Sequence, residues 1–202
     1  MADDRQAMFA RLVAEAAACL RCPRMAQRAA VLSSRNGTLT PRVLFVAEAP
    51  GRQGADRTRV PMVGDRSGVA FEALLTGVGL TRADIFITNA VLCSPRSATG
   101  ANRPPLRSEA RNCSGFLERT LQLLDPPVVA ALGATALAAL GGLGAHGLAL
   151  GSSAGTLVEW RGRLLVPLYH PSPQVLVSRR SLAQQSRDWS AVRAALEAAG
   201  AF

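Results

Sequence analysis

The chain has 202 residues, 49% of them hydrophobic, and a formal net charge of +9 at pH 7. This length and composition allow a sizeable buried core and predict a single domain over residues 1–202. No apolar run reaches the roughly 20 residues that a membrane-spanning helix needs, so a membrane protein is not expected.

All 23 basic residues are arginine, and only 14 residues are acidic. A GC-rich genome would explain the lack of lysine but not the shortage of acidic residues. Because the planar guanidinium group can bind two phosphate oxygens at once, this balance predicts nucleic acid as the partner. The N-terminal stretch MADDRQAMFARL lacks the basic-then-apolar pattern of a secretory signal, and we therefore expect a cytoplasmic protein.

The first half of the chain predicts a helix, a strand, a second helix and a second strand, in that order. Apolar residues recur at helical spacing over residues 9–17, just before a C-x-x-C motif. Val43–Ala47 is a continuous apolar run, which is typical of a strand buried on both faces. Residues 69–78 predict the second helix, and residues 85–92 predict the second strand.

The second half begins with a loop over residues 94–112 that is rich in Pro, Gly, Ser and Arg. The glycine-rich stretch GGLGAHG predicts a flexible connection, with His146 as a surface residue. The remaining predicted elements are a helix from Phe116 to Leu124, a strand at Val128–Leu132, a short helix after Gly133, strands at 156–160 and 164–169, and a helix over 182–196.

Strands that alternate with helices indicate an α/β fold with a mostly parallel sheet. In such sheets ligands bind outside the carboxyl ends of the strands. Glu48, Asn89, Gly133 and His170 each lie at or near the end of a predicted strand. We therefore expect these residues to line one crevice, to which a Gly-rich loop adds Asp65.

The crevice predicted in this way holds two carboxylates, an amide and an imidazole, with arginines around it. A carboxylate can position water and stabilise positive charge on a sugar, and a histidine can donate a hydrogen bond to charge on a departing base. This set of groups favours hydrolysis of a bond whose leaving group is a planar, polar heterocycle. For Asn89, His170 and either carboxylate, a purely structural role in a turn or cap is the alternative.

The four cysteines are Cys19 and Cys22, which form the C-x-x-C motif, and Cys93 and Cys113 further along. In a cytosolic chain this pattern favours a metal or cluster site over disulfides. Four separate buried thiols are the alternative.

Three motifs and the four cysteines together resemble the uracil-DNA glycosylase superfamily, and most closely its iron–sulfur members, types 4 and 5. The motifs are AEAPGRQGADRTRVPMVGDRSG, ITNAVLCSP and YHPSP. Glu48 matches the type-4 pattern, whereas the spacing up to Asp65 matches type 5. The resemblance implies a three-layer αβα fold around a central, mostly parallel four-stranded sheet. It also implies a [4Fe–4S] cluster on the cysteines, although zinc accepts the same thiolates.

The resemblance implies that a target nucleotide is flipped out of DNA into the crevice. Asn89 would then read the Watson–Crick edge of uracil, and His170 would bond its O2 as negative charge builds there. Asp65 is the first choice for the carboxylate that faces the anomeric carbon and water, and Glu48 is the second.

The resemblance also implies contacts to the base, through backbone and side chains, and contacts to DNA. Backbone N–H groups around Ala49, Pro50 and Gly51 would bind oxygen atoms. Met62 stands where the family usually has an aromatic residue, so either Met62 or Phe71 would stack on the base. The predicted DNA contacts are Ser172, Arg179, Arg180, Arg103 and Arg107.

The sequence therefore predicts a monomeric, monofunctional DNA glycosylase that releases uracil, and other deaminated bases as well if the pocket tolerates them. A nucleic-acid-binding module with a cluster but without activity is one alternative, because the usual aromatic is missing at Met62. A hydrolase of free nucleosides or nucleotides that uses the same crevice is another.

Overall fold

A computed structural model of the chain describes residues 2–25 and 27–201. Its centre is a five-stranded sheet of strand order β2-β1-β3-β5-β4. The strands are β1 (Val43–Ala47), β2 (Ile85–Asn89), β3 (Val128–Leu132), β4 (Val158–Trp160) and β5 (Arg163–Leu168). Four strands are parallel, and β4 pairs antiparallel with β5 at the edge. The sheet thus has one strand more than the four expected from the family resemblance.

Helices cover both faces of the sheet and complete the expected three-layer αβα arrangement. The longer helices are α1 (Ala2–Ala17), α3 (Arg66–Gly77), α4 (Arg107–Leu124), α5 (Ala134–Gly141) and α8 (Leu182–Ala198). Short helices are α2 (Ala55–Thr58), α6 (Leu150–Ser153) and α7 (Pro173–Ser178), with single 3-10 turns at Pro23–Met25, Ser34–Asn36 and Arg82–Asp84. No helix in the described part of the chain is long and apolar enough to cross a membrane.

The protein has two hydrophobic cores, one on each face of the sheet, and successive residues of β1 point alternately into them. Leu44 and Val46 face the core formed with α1, α4 and α5, whereas Phe45 faces the core formed with α3 and α8. Burial on both faces explains why this strand is a continuous apolar run rather than an alternating one. In the second core the rings of Phe45, Phe71 and Trp189 pack together, with centroids 5.2 to 5.4 Å apart.

Most predicted elements are present, but several boundaries differ for identifiable reasons. Helix α3 begins at Arg66 because Asp65 caps it, three residues before the first residue of the predicted helix. Helix α4 begins at Arg107, inside the predicted loop, where Glu109 accepts a hydrogen bond from the N–H of Leu106. Helices α6 and α7 have no counterpart among the predicted elements.

The connection GGLGAHG, which was predicted to be flexible, is fixed by hydrogen bonds of His146. Its Nδ1 accepts a hydrogen bond from the N–H of Leu148 at 3.0 Å, and its Nε2 lies 3.0 Å from the carbonyl oxygen of Leu137. Because Nδ1 accepts, Nε2 carries the proton and donates to Leu137. The half-buried imidazole therefore holds this connection against α5.

Candidate active site

The carboxyl ends of the parallel strands open into a cavity of about 840 Å³. Glu48 follows β1, Asn89 ends β2, Gly133 follows β3 and His170 lies just after β5, and all of them line this cavity. The structure thus brings together the strand-end residues that the sequence places in one crevice. Asp65 also lines the cavity.

Asp65 caps α3 and is packed against glycine backbone. Its Oδ1 accepts a hydrogen bond from the N–H of Gly68 at 2.9 Å. A Cβ built at Gly54 would lie 2.3 Å from Oδ2 of Asp65, and a Cβ built at Gly51 would lie 3.6 Å from it. A side chain at position 54 would therefore displace the carboxylate of Asp65 from this place.

Glu48 is joined to the neighbouring strand end by Thr135. The hydroxyl of Thr135, in the first turn of α5, donates a hydrogen bond to Oε2 of Glu48 at 2.5 Å. Both residues line the cavity, so one oxygen of this carboxylate is held while the group stays at the pocket wall.

Asn89 supplies a buried amide with an unused donor. The residue is 5% exposed, and its Nδ2 has no hydrogen-bond partner within the described residues. An unsatisfied buried donor costs about 1–3 kcal/mol, so such a group in a cavity marks a place where a ligand acceptor would bind.

His170 is neutral at physiological pH in this environment. Burial lowers the pKa of its imidazole to about 4, and the negative charge of Asp65 opposes this change. A Cβ built at Gly133 would lie 3.6 Å from the Cβ of His170, so the ends of β3 and β5 pack closely here. A neutral imidazole can still donate one hydrogen bond from its protonated nitrogen.

Met62 lines the cavity with its backbone in the left-handed region, at φ 54°. Such a conformation is strained for a residue with a side chain, and strain of this kind concentrates at functional sites. Arg82 holds it, because its guanidinium donates to the carbonyl oxygens of Pro61 and Met62, each at 2.9 Å. Gly68 leaves room for this turn, since a Cβ there would lie 2.4 Å from the carbonyl oxygen of Met62.

Phe71 does not belong to the pocket, which corrects the expectation that it could stack on a base. The residue is 0% exposed and packs between Phe45 and Trp189 in the core below α3. Its position follows from the apolar stripe of α3, which also buries Leu74 and Leu75.

Among the other predicted contact residues, Ala49, Pro50, Gly51, Ser172 and Arg179 all line the cavity. Ser172 also caps α7 through the N–H of Val175, at 3.4 Å. Arg107 is exposed at the start of α4 and lies outside the cavity lining.

Arg103 and Arg180, two of the predicted DNA contacts, form ion pairs with carboxylates within the protein. Arg103 donates to both oxygens of Glu109, at 2.8 and 2.5 Å, and Glu109 is 4% exposed. Arg180 donates to both oxygens of Asp188, at 2.8 and 2.5 Å, and its guanidinium lies 5.9 Å from the ring centroid of Tyr169. Both guanidinium groups therefore have a structural role, and their contact with phosphate stays a prediction; the side chain of Arg103 is 13% exposed and that of Arg180 32% exposed.

The four cysteines lie near one another beside α1 and α4. Burial is the main cause that raises the pKa of Cys93 to about 12, and electrostatic repulsion from Cys113, Cys19 and Cys22 contributes to this value. All four are free thiols, and Nδ2 of Asn112 lies 3.4 Å from Sγ of Cys22. Within the described ranges, no group of three or more His, Cys, Asp or Glu side chains is arranged to hold a metal ion.

Comparisons with known proteins assign the chain to a family. The family model of the uracil DNA glycosylase superfamily matches residues 35–195. The chain belongs to the uracil-DNA glycosylase superfamily. The match covers every strand of the sheet and all the strand-end residues of the cavity.

Relatives of two types within the superfamily are similar to this chain. A type-4 uracil-DNA glycosylase of Thermotoga maritima is 34% identical over 155 residues, which cover 76% of each chain. A type-5 uracil-DNA glycosylase of Pyrobaculum aerophilum is 34% identical over 184 residues, covering 77% of this chain and 78% of that protein. A type-5 uracil-DNA glycosylase of Mycobacterium leprae is 29% identical over 204 residues, covering 84% and 87%.

Several residues in or beside this cavity were not predicted from the sequence. Thr135 could have been predicted, because it lies in the first turn of α5, just beyond the end of β3 and at the same edge of the sheet as Glu48. Asn102 lines the cavity from the predicted loop, and its Oδ1 accepts a hydrogen bond from the N–H of Arg52 at 3.0 Å. No sequence signal identifies Asn102 or Arg82, because both act through contacts between distant segments.

Proposed function

We propose that this protein is a monofunctional DNA glycosylase that hydrolyses the N-glycosidic bond of deoxyuridine in DNA and leaves an abasic site. The observation that carries the proposal is the unused donor of Asn89, which shares its pocket with His170 and Asp65. Similarity to type-4 and type-5 uracil-DNA glycosylases supports it. A base must leave the duplex to reach such a pocket, so the target nucleotide would be flipped out.

The amide of Asn89 would select uracil by its pattern of donors and acceptors. Nδ2 would donate to O4 of the base, and Oδ1 would accept from N3–H. Cytosine presents the opposite pattern, a donor at C4 and an acceptor at N3, and would leave buried polar groups unpaired. Sites that discriminate in this way reject the wrong partner by roughly 10⁴–10⁵-fold.

His170 would stabilise the departing base without transferring a proton. Burial keeps its imidazole neutral at physiological pH, and the protonated ring nitrogen can donate to O2 of uracil. Negative charge gathers on that oxygen as the bond to the sugar breaks. A neutral donor that is already in place stabilises this charge with little reorganisation.

A carboxylate at the pocket wall would orient the attacking water and stabilise the positive charge on the sugar. The water oxygen bonds to the anomeric carbon, uracil departs with the bonding electron pair, and the carboxylate accepts the water proton. Asp65 suits this role because its Oδ1 is fixed by the N–H of Gly68 and it lies near His170. Glu48 remains the second candidate, since it lines the same cavity.

Phosphate contacts would come from the rim of the pocket. Arg179 is exposed and lines the cavity beside Ser172, and Arg107, which is exposed at the start of α4, would add a contact outside the cavity. Met62 would contact the face of the base in place of an aromatic ring, through its polarizable sulfur. We expect the enzyme to act as a monomer in the cytoplasm.

The cysteines would hold a [4Fe–4S] cluster, which would supply structural cross-linking rather than redox chemistry. Cys19, Cys22, Cys93 and Cys113 are free and influence one another electrostatically, which supports a shared site. Zinc, which accepts the same four thiolates, is the alternative. Iron and sulfide analysis of protein purified without oxygen tests this, and a colourless protein with stoichiometric zinc would refute it.

Product analysis tests the proposed activity. The native protein is incubated with duplexes that carry uracil, hypoxanthine, xanthine or thymine, and free base and abasic sites are measured. We expect release of uracil. The logarithm of the DNA-binding constant should fall linearly with the logarithm of the salt concentration, with a slope of about −0.9 for each phosphate contacted. Binding without abasic sites at high enzyme concentration would favour the inactive binding module. Activity on free nucleosides with little salt dependence would favour the small-molecule hydrolase.

A further inference from the structure

Asp56, in α2, and Arg96, which follows Cys93, form an ion pair behind the wall of the cavity. Their side chains are only 13% and 9% exposed. Arg96 also donates from Nε to the hydroxyl of Ser94 at 3.0 Å and from Nη1 to the carbonyl oxygen of Gly100 at 3.2 Å. Because every guanidinium nitrogen is engaged, the fork of Arg96 has a single geometry and fixes the position of Asp56.

Residues 94–106, which we call the bracket, are themselves held firmly. Arg96 and Asn102 form a β-bridge across the bracket. Arg103 donates from Nε to the carbonyl oxygen of Arg96 at 3.0 Å, and its other nitrogens bind the buried carboxylate of Glu109. Glu109 lies in the first turn of α4, so the bracket is anchored to a long helix.

The bracket supports residues 51–65, which we call the carboxylate loop. Bonds inside this loop are local, such as those from the N–H of Asp56 to the carbonyl oxygen of Gly51, at 3.1 Å, and from the hydroxyl of Thr58 to the carbonyl oxygen of Gly54, also at 3.1 Å. They maintain the shape of the loop without fixing where it lies. Its first half is joined to the bracket by Asp56 and by the N–H of Arg52, which donates to Asn102.

The placement of α2 matters because Asp65 rests against its start. The space that a Cβ at Gly54 would need is filled by Oδ2 of Asp65, so Gly54 forms the wall behind this carboxylate. A shift of α2 would move that wall and the N–H groups beside it. A misplacement of about 1 Å at a reacting group can lower a rate on the order of 10²-fold.

We propose that Asp56 and Arg96 are positioning residues for base excision, which hold the carboxylate loop so that Asp65 meets the bound nucleotide correctly. This inference rests on the proposed function. Neither residue lines the cavity, so neither is expected to touch the base. The pair would therefore affect the rate of bond cleavage far more than the binding of DNA.

The test compares Arg96→Met, Asp56→Leu and the double variant with the native protein. For each protein we would measure single-turnover excision of uracil, the Kd for uracil-containing DNA and the Tm. Replacing a buried ion pair with apolar residues often preserves stability. In contrast, Asp56→Leu alone leaves the buried Arg96 without its carboxylate, and Arg96→Met alone leaves Asp56 only a longer ion pair with Arg59, at 3.8 Å. We therefore expect the double variant to recover the Tm but not the rate, which stays on the order of 10²-fold low with little change in Kd.

A rate that recovers together with the Tm would overturn the proposal, because the pair would then act only on stability. Arg161→Met is the matched control, since Arg161 binds Glu118 at 2.6 and 2.7 Å on α4, outside the cavity lining. That variant is expected to keep the native rate. If Arg96→Met does not fold, the rate and the Tm of the double variant are still compared with those of the native protein.

Hydrogen exchange separates this proposal from the proposed function. The N–H of Arg52 donates to Oδ1 of Asn102 and so joins the carboxylate loop to the bracket. Its exchange should be faster in Arg96→Met than in the native protein and unchanged in Arg161→Met. A native protein that releases no uracil refutes the proposed function alone. Unchanged exchange in Arg96→Met refutes the positioning role in either case.

Discussion

Asp65 and His170 line the same pocket, and the negative charge of Asp65 acts on the imidazole of His170. Burial is the larger influence and lowers the pKa of His170 to about 4, while Asp65 opposes it. The pocket therefore holds a carboxylate beside an imidazole that stays neutral at physiological pH, and the proposed hydrolysis depends on this combination.

NMR titration of the imidazole signals should show His170 neutral down to about pH 4. The unfolded chain binds this proton near pH 6.5, so the stability associated with neutral His170 is lost as the pH falls from 6.5 towards 4. Asp65→Asn should lower the pKa of His170 further, because it removes the opposing charge. His170→Gln assigns the signal, and a titration near 6.5 would contradict this account.

Asp65→Asn and Glu48→Gln together decide which carboxylate orients the water. Asparagine caps helices as well as aspartate does, so Asp65→Asn should keep the bond to Gly68 and the native Tm. Glutamine can still accept from Thr135. We expect Asp65→Asn to lower single-turnover excision roughly 10²–10⁴-fold, and Glu48→Gln to lower it less. The opposite order would assign the role to Glu48.

Asn89→Asp should weaken the discrimination between uracil and cytosine, because a carboxylate lacks the donor for O4 and can accept from the amino group of cytosine. Uracil excision should fall roughly 10²–10³-fold, and measurable cytosine release should appear. Competition assays with uracil and cytosine in the same duplex context measure this. Gln184→Glu is the control, since it keeps the acceptor for the N–H of Ser181, lies outside the cavity lining and should retain selectivity. Unchanged selectivity in Asn89→Asp would remove Asn89 from base recognition.

Met62→Phe should restore the ring that the family usually has at this position. Stacking on a base contributes roughly 1–3 kcal/mol, so inhibition by free uracil should become at least about five times stronger. The preference for uracil over larger bases should increase as well. Val63→Phe adds the same ring at an exposed neighbour and should change neither quantity. Equal inhibition in Met62→Phe and the native protein would place the base away from Met62.

The strands and the residues at their ends could be predicted because they depend on local pattern. Val43–Ala47 and Val128–Leu132 occur as predicted, since a strand buried on both faces must be apolar throughout. Parallel strands then bring Glu48, Asn89 and His170 to one edge of the sheet. Local composition and topology together are sufficient for that part of the site.

The remaining parts depend on contacts between distant segments. Phe71 and Met62 both lie near Asp65 in the sequence, but the apolar stripe of α3 buries one and a left-handed turn exposes the other to the pocket. Arg103 and Arg180 look like free charges until their partners Glu109 and Asp188 are seen. Which arginines are free for DNA follows from the tertiary structure alone.

The most direct test of the account is a crystal structure of the Asp65→Asn variant bound to DNA that contains uracil. We expect the flipped base in the cavity, with Nδ2 of Asn89 within hydrogen-bond distance of O4 and a ring nitrogen of His170 within that distance of O2. A base held elsewhere, or one whose O4 and O2 contact neither residue, would contradict the central claim that these side chains grip a single ring.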